Sequence, residues 1–296
     1  MSIPYSGEIL SLICAIIWAT AVILFRKSGE STEPLSLNLF KNSVCSALFL
    51  FTFLVMHRTL LLPAPIKDYL LLIISGIIGV VIADTLFFKS LNLLGAGLLA
   101  IVDCLYTPIV IGLTFFFLGE RLSYTQLLGA LMIISAILIS SLRLPNHSIP
   151  RKNLILGILL GSLSIALMAV SIVMIKPLLN RAPILWVTMI RLVVAAIVMS
   201  IIALFHPRRK ELFSAFRPSK NWKYMLPGAI LGNYFAMFTW MGGIKFTYAS
   251  IAAAINQTSV IFVLIFAAIF LKEKFTLRKF IGMIMAFSGV VMVTLG

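Results

Sequence analysis

The sequence predicts an all-α integral membrane protein with ten transmembrane helices in two inverted-topology five-helix repeats. Composition, long apolar runs and an internal repeat support this fold class. Hydrophobic residues make up 61% of the 296 residues and charged residues only 11%, against about 25% charged residues in soluble globular chains. So little polar surface does not cover a water-soluble fold of this size, and the chain is expected to lie in a lipid bilayer.

Ten apolar runs are long enough to cross the membrane, since a spanning helix needs about 20 residues. The runs are continuously apolar rather than alternating, which favours helices over a β-barrel. In chain order they cover residues 7–26, 34–56, 67–90, 96–118, 123–142, 153–176, 183–205, 222–245, 249–271 and 276–295. The membrane side that holds the N-terminus is called side B here, and the opposite side is called side A.

The second half of the chain repeats the first. LGERLSYTQLLG at 118–129 aligns with LKEKFTLRKFIG at 271–282, an offset of 153 residues. Near the N-terminus the offset is 150 and pairs residues 7–27 with residues 157–177. The offset of 153 also pairs Gly79 with Gly232, Ala83 with Ala236, Ala96 with Ala249, Glu120 with Glu273 and Asp103 with Asn256. Repeats with an odd number of spans insert upside down relative to each other, which is typical of secondary transporters with a site near the midplane.

The least apolar link between spans lies at the midpoint of the chain. It reads LPNHSIPRKN at 144–153 and divides the spans five and five. We therefore expect a first five-helix repeat over residues 1–145, a linker over 146–152 and a second repeat over 153–296.

Several segments together carry a family resemblance. The fourth and ninth spans end in CLYTPIVIGLTFFFLGERLS and INQTSVIFVLIFAAIFLKEKFT, and the last helices of the halves read LLGALMIISAIL and FIGMIMAFSGVVMV. The opening helix, ICAIIWATAVILFRK, has an interior Trp. Over essentially the whole chain these segments resemble the EamA-like branch of the drug/metabolite transporter superfamily, which implies a ten-helix transporter without indicating its substrate. One departure is that Pro108 pairs with Ile261, so a proline break is expected in one half only.

Three ionisable residues of the first repeat lie at a similar depth. Lys41, Asp84 and Asp103 each lie six or seven residues from side A, which is roughly 9–11 Å at 1.5 Å per residue. Charges in the hydrocarbon are costly and therefore mark candidate functional sites. Because one ammonium neutralises one carboxylate, Asp84 and Asp103 are the predicted proton-coupling residues. The alternatives are a packing ion pair of Lys41 with either acid, or a Lys41 side chain that snorkels toward side A.

Arg191 is the intramembrane charge of the second repeat. It lies eight residues into the seventh span from side B, and Asn256 stands where the first repeat has Asp103. Its planar guanidinium suits a carboxylate or phosphate of a substrate. The alternative is a structural role, with Arg191 capping the backbone or bonded to Asn256.

Aromatic and amide side chains at mid-depth complete the predicted substrate pocket. Trp and Tyr more often serve as interface anchors or packing, and Trp186, near a span end, is expected to be an anchor. The predicted substrate-binding set is Trp18, Lys41, Tyr106, Arg191, Asn233, Tyr234, Trp240, Asn256 and Gln257.

Other chemistries find little support in the sequence. The three cysteines, Cys14, Cys45 and Cys104, lie singly within apolar spans and are expected to be packing residues. No cofactor and no metal site are predicted, because the known metal, nucleotide and hydrolase motifs do not occur. Glu120 and Glu273 are expected to cap helix junctions, since the inverted topology places them on opposite faces.

Two regions bear on partners. Spans five and ten carry small residues such as Gly129, Ala136, Gly282 and Gly289, which favour close helix contact as an internal scaffold or as a homodimer face. The basic loop 206–223 is expected to contact anionic lipid and to set the topology. Nucleic-acid binding is not predicted, because this loop is too short to form a folded basic face.

The loop charges and the family resemblance predict opposite orientations. Loops on side A carry 16 Lys and Arg residues and loops on side B carry six. The positive-inside rule then places side A in the cytoplasm and both termini outside, whereas the resemblance implies that both termini lie inside. The sequence therefore supports both orientations.

The predicted function is secondary active transport by alternating access. The expected substrate is a small metabolite, amino-acid-like or otherwise amphipathic or zwitterionic, or a drug. The chain is expected in the inner or plasma membrane as a multi-pass protein, with protons as the coupling ion. The alternatives are an integral-membrane enzyme acting on a lipid-linked substrate and a passive channel.

Overall fold

The structure of the protein is a computed structural model. It describes residues 5–57, 59–109, 112–113, 123–141, 149–179, 181–246 and 255–295. Within these ranges every regular element is helical.

Helices occur at the positions of the predicted apolar runs. The first five are α1 (Ser6–Ser28), α2 (Pro34–Val55), α3 (Ile66–Leu94), α4 (Ala96–Asp103) and α5 (Tyr124–Ser141). The next five are α6 (Arg151–Leu179), α7 (Ile184–Phe205), α8 (222–246), α9 (Ser259–Phe270) and α10 (Leu277–Leu295). Two short turns, Arg209–Leu212 and Phe213–Phe216, join α7 to α8.

Five of the described helices are long and apolar enough to cross a membrane. They are Ser6–Ser28, Pro34–Val55, Ile66–Leu94, Arg151–Ile175 and Ile184–Phe205. The segments Ala96–Ile109, Tyr124–Ser140 and Ser259–Phe270 are apolar but shorter. Leu127, Leu131, Ile197, Ile201 and Ile269 are among many large apolar side chains left exposed, as expected for helices that face lipid.

Prolines mark several helix starts. Pro34 is the first residue of α2, and Pro65, Pro150 and Pro183 directly precede α3, α6 and α7. The N–H groups of a first helical turn have no partner within the helix, so proline loses no hydrogen bond at such a position. These residues therefore fix where the loops end.

Helices α3 and α8 each contain a π-helical segment. In α3 it covers Ile77–Ala83 and in α8 it covers Ile230–Phe235, so the two start 153 residues apart, the offset of the sequence repeat. Segments of this kind leave backbone carbonyls without their usual helical partner and frequently occur at functional sites.

The fourth and ninth apolar runs are each interrupted by a turn, and the two turns lie at equivalent positions of the halves. Turns stand at Cys104–Leu105 and at Gln257–Thr258, again 153 residues apart. The expectation of a break in one half only was wrong. In the first half Pro108 explains the break, because its ring clashes with the carbonyl four residues earlier. In the second half the Thr258 hydroxyl donates to the Ile255 carbonyl at 2.6 Å and competes with the regular helical bond.

Helices α5 and α10 cross at small residues. A Cβ at Gly129 would lie 2.6 Å from the Gly289 carbonyl, and a Cβ at Gly289 would lie 2.7 Å from the Gly129 carbonyl. Two turns away a Cβ at Gly282 would lie 3.0 Å from the Ala136 carbonyl. The small residues are thus occupied by a contact within the chain, which is the scaffold role predicted for them.

The apolar core forms two clusters, with charged groups between them. One cluster includes Phe87 and Phe88 and residues of α1, α4, α9 and α10, and the other includes Val80 and Val81 and residues of α2, α7 and α8. Asp84 lies on α3 between the two sets. The fold therefore brings polar residues together at the boundary of the clusters.

Candidate functional site

Lys41 and Asp84 form an ion pair between α2 and α3. The Lys41 side chain is 3% exposed, and its Nζ lies 5.2 Å from the centre of the Phe88 ring. Burial at this level shows that Lys41 does not snorkel to side A. Of the alternatives for Lys41, the pair with Asp84 is the one observed.

The π-helical segment of α3 is stabilised by the helix that carries Lys41. Asn38 Nδ2 donates to the Val80 carbonyl at 2.9 Å and to the Thr85 hydroxyl at 2.9 Å. From α6, the Ser164 hydroxyl donates to the Ala83 carbonyl at 2.7 Å. These donors satisfy carbonyls that the wider turn leaves free, and they fix the backbone directly before Asp84.

Arg191 lies against the same segment. Its Nη2 donates to the Ser171 hydroxyl at 2.7 Å, and that hydroxyl donates to the Ser75 carbonyl at 3.0 Å. A Cβ at Gly79 would lie 2.2 Å from Ser171 Oγ and 3.0 Å from Arg191 Nη2, so glycine makes the room that the guanidinium occupies. The alternative bond of Arg191 to Asn256 is not observed, because α7 packs on α2 and α3 and Arg191 reaches Ser171 of α6 instead.

The guanidinium of Arg191 keeps unused hydrogen-bonding capacity. The residue is 9% exposed, and its Nε is fully buried with no hydrogen-bond partner among the described residues. It lies within range of charge interaction with Asp84 and Tyr106, but no described carboxylate lies within ion-pair distance of it. A buried donor of this kind is suited to an anionic ligand group.

Asp103 lines a narrow cleft between helices of the two halves. The lining residues are Trp18, Val22, Phe87, Leu99, Ala100, Asp103, Ser259, Val260 and Val263. They come from α1, α3 and α4 of the first half and from α9 of the second. In the described part of the chain, the Asp103 carboxylate has neither an ion pair nor a hydrogen bond, and Tyr106 lies within range of its charge. The walls of the cleft are therefore mostly apolar, and Asp103 is the ionisable residue among the lining residues.

The structure brings some of the other predicted residues near this region and separates the rest. Gln257 Nε2 donates to the Thr107 hydroxyl at 3.2 Å and joins the two broken helices. The neighbouring Asn256 Oδ1 is buried and finds no partner in the described ranges. Tyr234 bonds to Thr52 and belongs to an aromatic cluster between α2 and α8.

Of the predicted site residues in the described part of the chain, only Trp18 and Asp103 line the cleft. Asn233 and Trp240 are half-buried on α8 and are not among the residues that line the cleft. The interface-anchor prediction for Trp186 was wrong. It is 1% exposed, and its Nε1 donates to the Leu60 carbonyl at 3.0 Å, because residues 59–65 fold over it.

Sequence reasoning missed the serines of α6 and the asparagine of α2. Ser164 and Ser171 lie seven residues apart in an apolar helix, a spacing that places both on one face. Asn38 and Asn42 are four apart on α2, and Asn42 Nδ2 donates to Asn38 Oδ1 at 2.8 Å. Polar residues at such spacings within predicted spans were the available signal.

The cysteines are buried, as expected, and two of them bond to α8. Cys14 Sγ donates to the Ala236 carbonyl and Cys45 Sγ to the Ala229 carbonyl, both at 3.3 Å. In the described ranges no three His, Cys, Asp or Glu residues come close enough to hold a metal ion.

Lipid-facing helices around a buried charged centre define the class, a multi-pass membrane protein with a polar site between its helices. The sequence pattern of the EamA-like transporter family matches residues 5–142 and 155–295. The chain therefore belongs to the EamA-like transporter family.

Two further likenesses agree with this family. The chain is 24% identical over 297 residues to an uncharacterized transporter of Archaeoglobus fulgidus, with 97% of each chain covered. A protein crystal structure resembles it at 17% identity with a TM-score of 0.70, over 98% of this chain and 96% of the other, which shows a similar fold. The protein is thus a membrane transporter that works in a lipid bilayer on a small molecule, and these findings favour a transporter over an enzyme.

Proposed function

We propose that the protein is a secondary transporter that moves a small amphipathic or zwitterionic metabolite by alternating access. The observation that carries this proposal is the cleft between the halves, with the unpaired Asp103 carboxylate on its wall. A narrow cleft of this kind takes up a solute only when helices move apart, as alternating access requires.

Two inverted five-helix units, residues 1–145 and 153–296 joined by 146–152, are the proposed moving parts. The family pattern matches twice, once in each half. The π-helical segments and the helix breaks recur 153 residues apart. Discontinuous helices at matching positions of two repeats are typical of transporter binding sites.

Arg191 is the proposed contact for an anionic group of the substrate. Its buried Nε has no partner among the described residues, and Gly79 leaves room beside Nη2. Trp18 and Phe87, whose ring centres lie 6.2 Å apart, supply apolar wall for the remainder of the molecule. Lys41, Tyr106, Asn233, Tyr234, Trp240, Asn256 and Gln257 remain proposed substrate-binding residues.

Asp103 is the proposed proton carrier, in preference to Asp84. Asp84 is neutralised by Lys41, whereas Asp103 has no described cation beside it. A carboxyl group that faces the cleft can exchange its proton when the cleft is open to water, and this would couple solute movement to a pH gradient.

Solute flux in proteoliposomes tests the proposal. A thermal-stability screen of amino acids and other zwitterions first identifies a ligand, which stabilises the fold by about 2.7 kcal/mol at a hundredfold excess over its dissociation constant. Uptake is then measured with and without a pH gradient. Uphill uptake excludes a channel, a chemically changed product indicates an enzyme, and the absence of flux for every stabilising ligand contradicts the proposal.

The variant Asp103→Asn distinguishes proton coupling from the movement of the solute. It should abolish uphill uptake driven by pH while equilibrium exchange continues. The matched control is Asp68→Asn, which removes a buried carboxylate paired with Arg181 at 2.6 Å away from the cleft. Full proton-driven uptake in Asp103→Asn assigns coupling elsewhere.

Location in the inner or plasma membrane and homodimerisation belong to the same proposal. The small residues of α5 and α10 are engaged within the chain. A dimer face would therefore consist of exposed residues on α5 such as Leu127, Leu131 and Leu138.

A further inference from the structure

A polar contact joins the two halves at side A, apart from the charged centre. Glu273, in the link between α9 and α10, accepts hydrogen bonds from the Ala96 and Gly97 N–H groups at 2.8 Å and 3.1 Å. Lys279, at the start of α10, places its Nζ 3.4 Å from the same carboxylate. Glu273 thus caps the first turn of α4, as the sequence predicts, whereas Glu120 lies outside the described residues.

Glycine makes this contact possible. Gly95 has a φ of 80°, a conformation that glycine adopts without strain. A Cβ at Gly95 would lie 2.6 Å from Glu273 Oε1, and one at Gly97 would lie 3.1 Å from Oε2. The backbone of α4 is therefore shaped to receive a carboxylate, and the negative charge is favourable at a helix N-terminus.

The contact lies between side A and the cleft. Leu99 and Ala100, one turn beyond the capped amides, line the cleft, and Asp103 follows on the same helix at a depth of about 10 Å from Ala96. Gly97 also packs on Leu264 of α9. A route from side A into the cleft must therefore separate the start of α4 from the end of α9.

The chemistry of the contact suits repeated opening. Glu273 and Lys279 are 19% and 10% exposed, so water can replace each partner as the surfaces part. The contact of α5 with α10 offers no such exchange, because it joins glycine backbone to glycine backbone.

We propose that Glu273 and Lys279 form a latch with the start of α4 that holds the cleft closed toward side A. Release of the Ala96 and Gly97 amides opens the cleft to that side. The proposal rests on the alternating access proposed above and assigns one of its gates.

Side-specific labelling of the cleft tests the latch. In a background with Cys14, Cys45 and Cys104 replaced by alanine, Ser259→Cys places one thiol on the cleft wall. A membrane-impermeant maleimide is added to sealed vesicles from one side, and a separate Ser214→Cys variant, exposed in the loop between α7 and α8, reports which side is side A. Glu273→Ala should raise the labelling rate from side A about tenfold or more, because two charge-assisted hydrogen bonds are lost.

A matched control and a milder variant keep the result decisive. Glu211→Ala removes an exposed glutamate paired with Arg208 at 3.7 Å and should leave the labelling rate unchanged. Glu273→Gln keeps an accepting oxygen but loses the ion pair with Lys279, and should give a smaller rise from side A if Glu273→Ala does not fold.

Two outcomes overturn the latch. One is an unchanged rate from side A in the folded Glu273 variant. The other is an equal rise from both sides, which indicates a loosened protein rather than a gate. Labelling needs no substrate, so its failure is distinguishable from failure of the flux measurement.

Discussion

The two π-helical segments have the same backbone conformation but differ in the side chains around them. At the first segment, the hydroxyl of Ser164 in α6 donates to the Ala83 carbonyl at 2.7 Å. At the second, the thiol of Cys14 in α1 donates at 3.3 Å to the carbonyl of Ala236, the residue directly after the segment. The two donors are 150 residues apart and the two acceptors 153, the offsets of the sequence repeat. Each half thus has a side-chain donor that bonds to a backbone carbonyl at the end of its π-helical segment.

The charged groups gather at the first segment. Lys41 and Arg191 stand 150 residues apart on α2 and α7, yet Lys41 pairs with Asp84 just beyond the first segment and Arg191 packs beside Gly79 within it.

The second segment carries none of these charges. A Cβ at Gly232 would meet the Phe25 ring at 3.1 Å, and Met237 stands where the repeat has Asp84. The difference teaches that the wide turn belongs to the architecture of the fold, whereas the chemistry around it belongs to one half.

Breaking the Lys41–Asp84 pair should have the largest effect. Lys41→Met leaves the Asp84 carboxylate without its cation and should lower the free energy of unfolding by about 3–5 kcal/mol. The double variant Lys41→Met/Asp84→Leu should recover most of this loss, because no uncompensated charge remains. Denaturant titration in mixed micelles measures both.

The control for this prediction is an exposed ion pair. Lys27→Met removes the partner of Glu30 at 3.5 Å on the surface and should change the stability by less than about 1 kcal/mol. Equal stability of Lys41→Met and the parent protein would show that water or another group neutralises Asp84.

The paired glycines provide the next test. Gly79→Ala places a Cβ 2.2 Å from Ser171 Oγ, and Gly232→Ala places one 2.9 Å from the Ala21 Cβ. Overpacking of this kind costs about 1–3 kcal/mol, so both should lower the melting temperature. Only Gly79→Ala displaces Arg191, so only it should also weaken ligand binding. Equal ligand affinities in the two variants would show that Arg191 does not belong to the binding site.

Sequence reasoning predicted the helical membrane-spanning class and the buried charged residues, because hydropathy encodes them directly. The ten spans and their inverted repeat stay predictions. The Lys41–Asp84 pair was one of the alternatives that the sequence left open, and the capping role of Glu273 was predicted. The hydrogen bond between Arg191 and Ser171 could not be predicted from the sequence. It depends on the rotation of α6 about its own axis, which places Ser171 toward α7.

The wide turns and the second helix break had a weaker sequence signal. Gly79 and Gly232 were visible as a repeated pair, but glycine in a span also serves close helix packing. The break at Gln257–Thr258 has no proline, and the threonine hydroxyl that accompanies it is common within ordinary helices.

The variant Arg191→Lys tests whether the guanidinium binds an anionic group of the ligand. Lysine keeps the charge but lacks the planar arrangement of donors, so affinity for an anionic or zwitterionic ligand should fall about tenfold, or about 1.4 kcal/mol. The control is Arg181→Lys, whose arginine pairs with Asp68 away from the cleft. Unchanged affinity in folded Arg191→Lys and Arg191→Gln would assign Arg191 to packing.

The smallest predicted effect distinguishes the hydroxyl and thiol donors of the two π-helical segments. Ser164→Ala leaves the Ala83 carbonyl, directly before Asp84, without its side-chain donor, and should cost about 1 kcal/mol of stability. Cys14→Ala removes only a weak S–H donor beside a segment that holds no charge, and its cost should come mainly from the lost sulfur volume. Ser164→Ala should therefore also lower the flux, because it loosens the π-helical segment against which Arg191, the proposed substrate contact, packs, whereas Cys14→Ala should lower only the melting temperature. If both substitutions reduce flux to the same degree, the two segments contribute equally to transport and the contrast drawn between them is wrong.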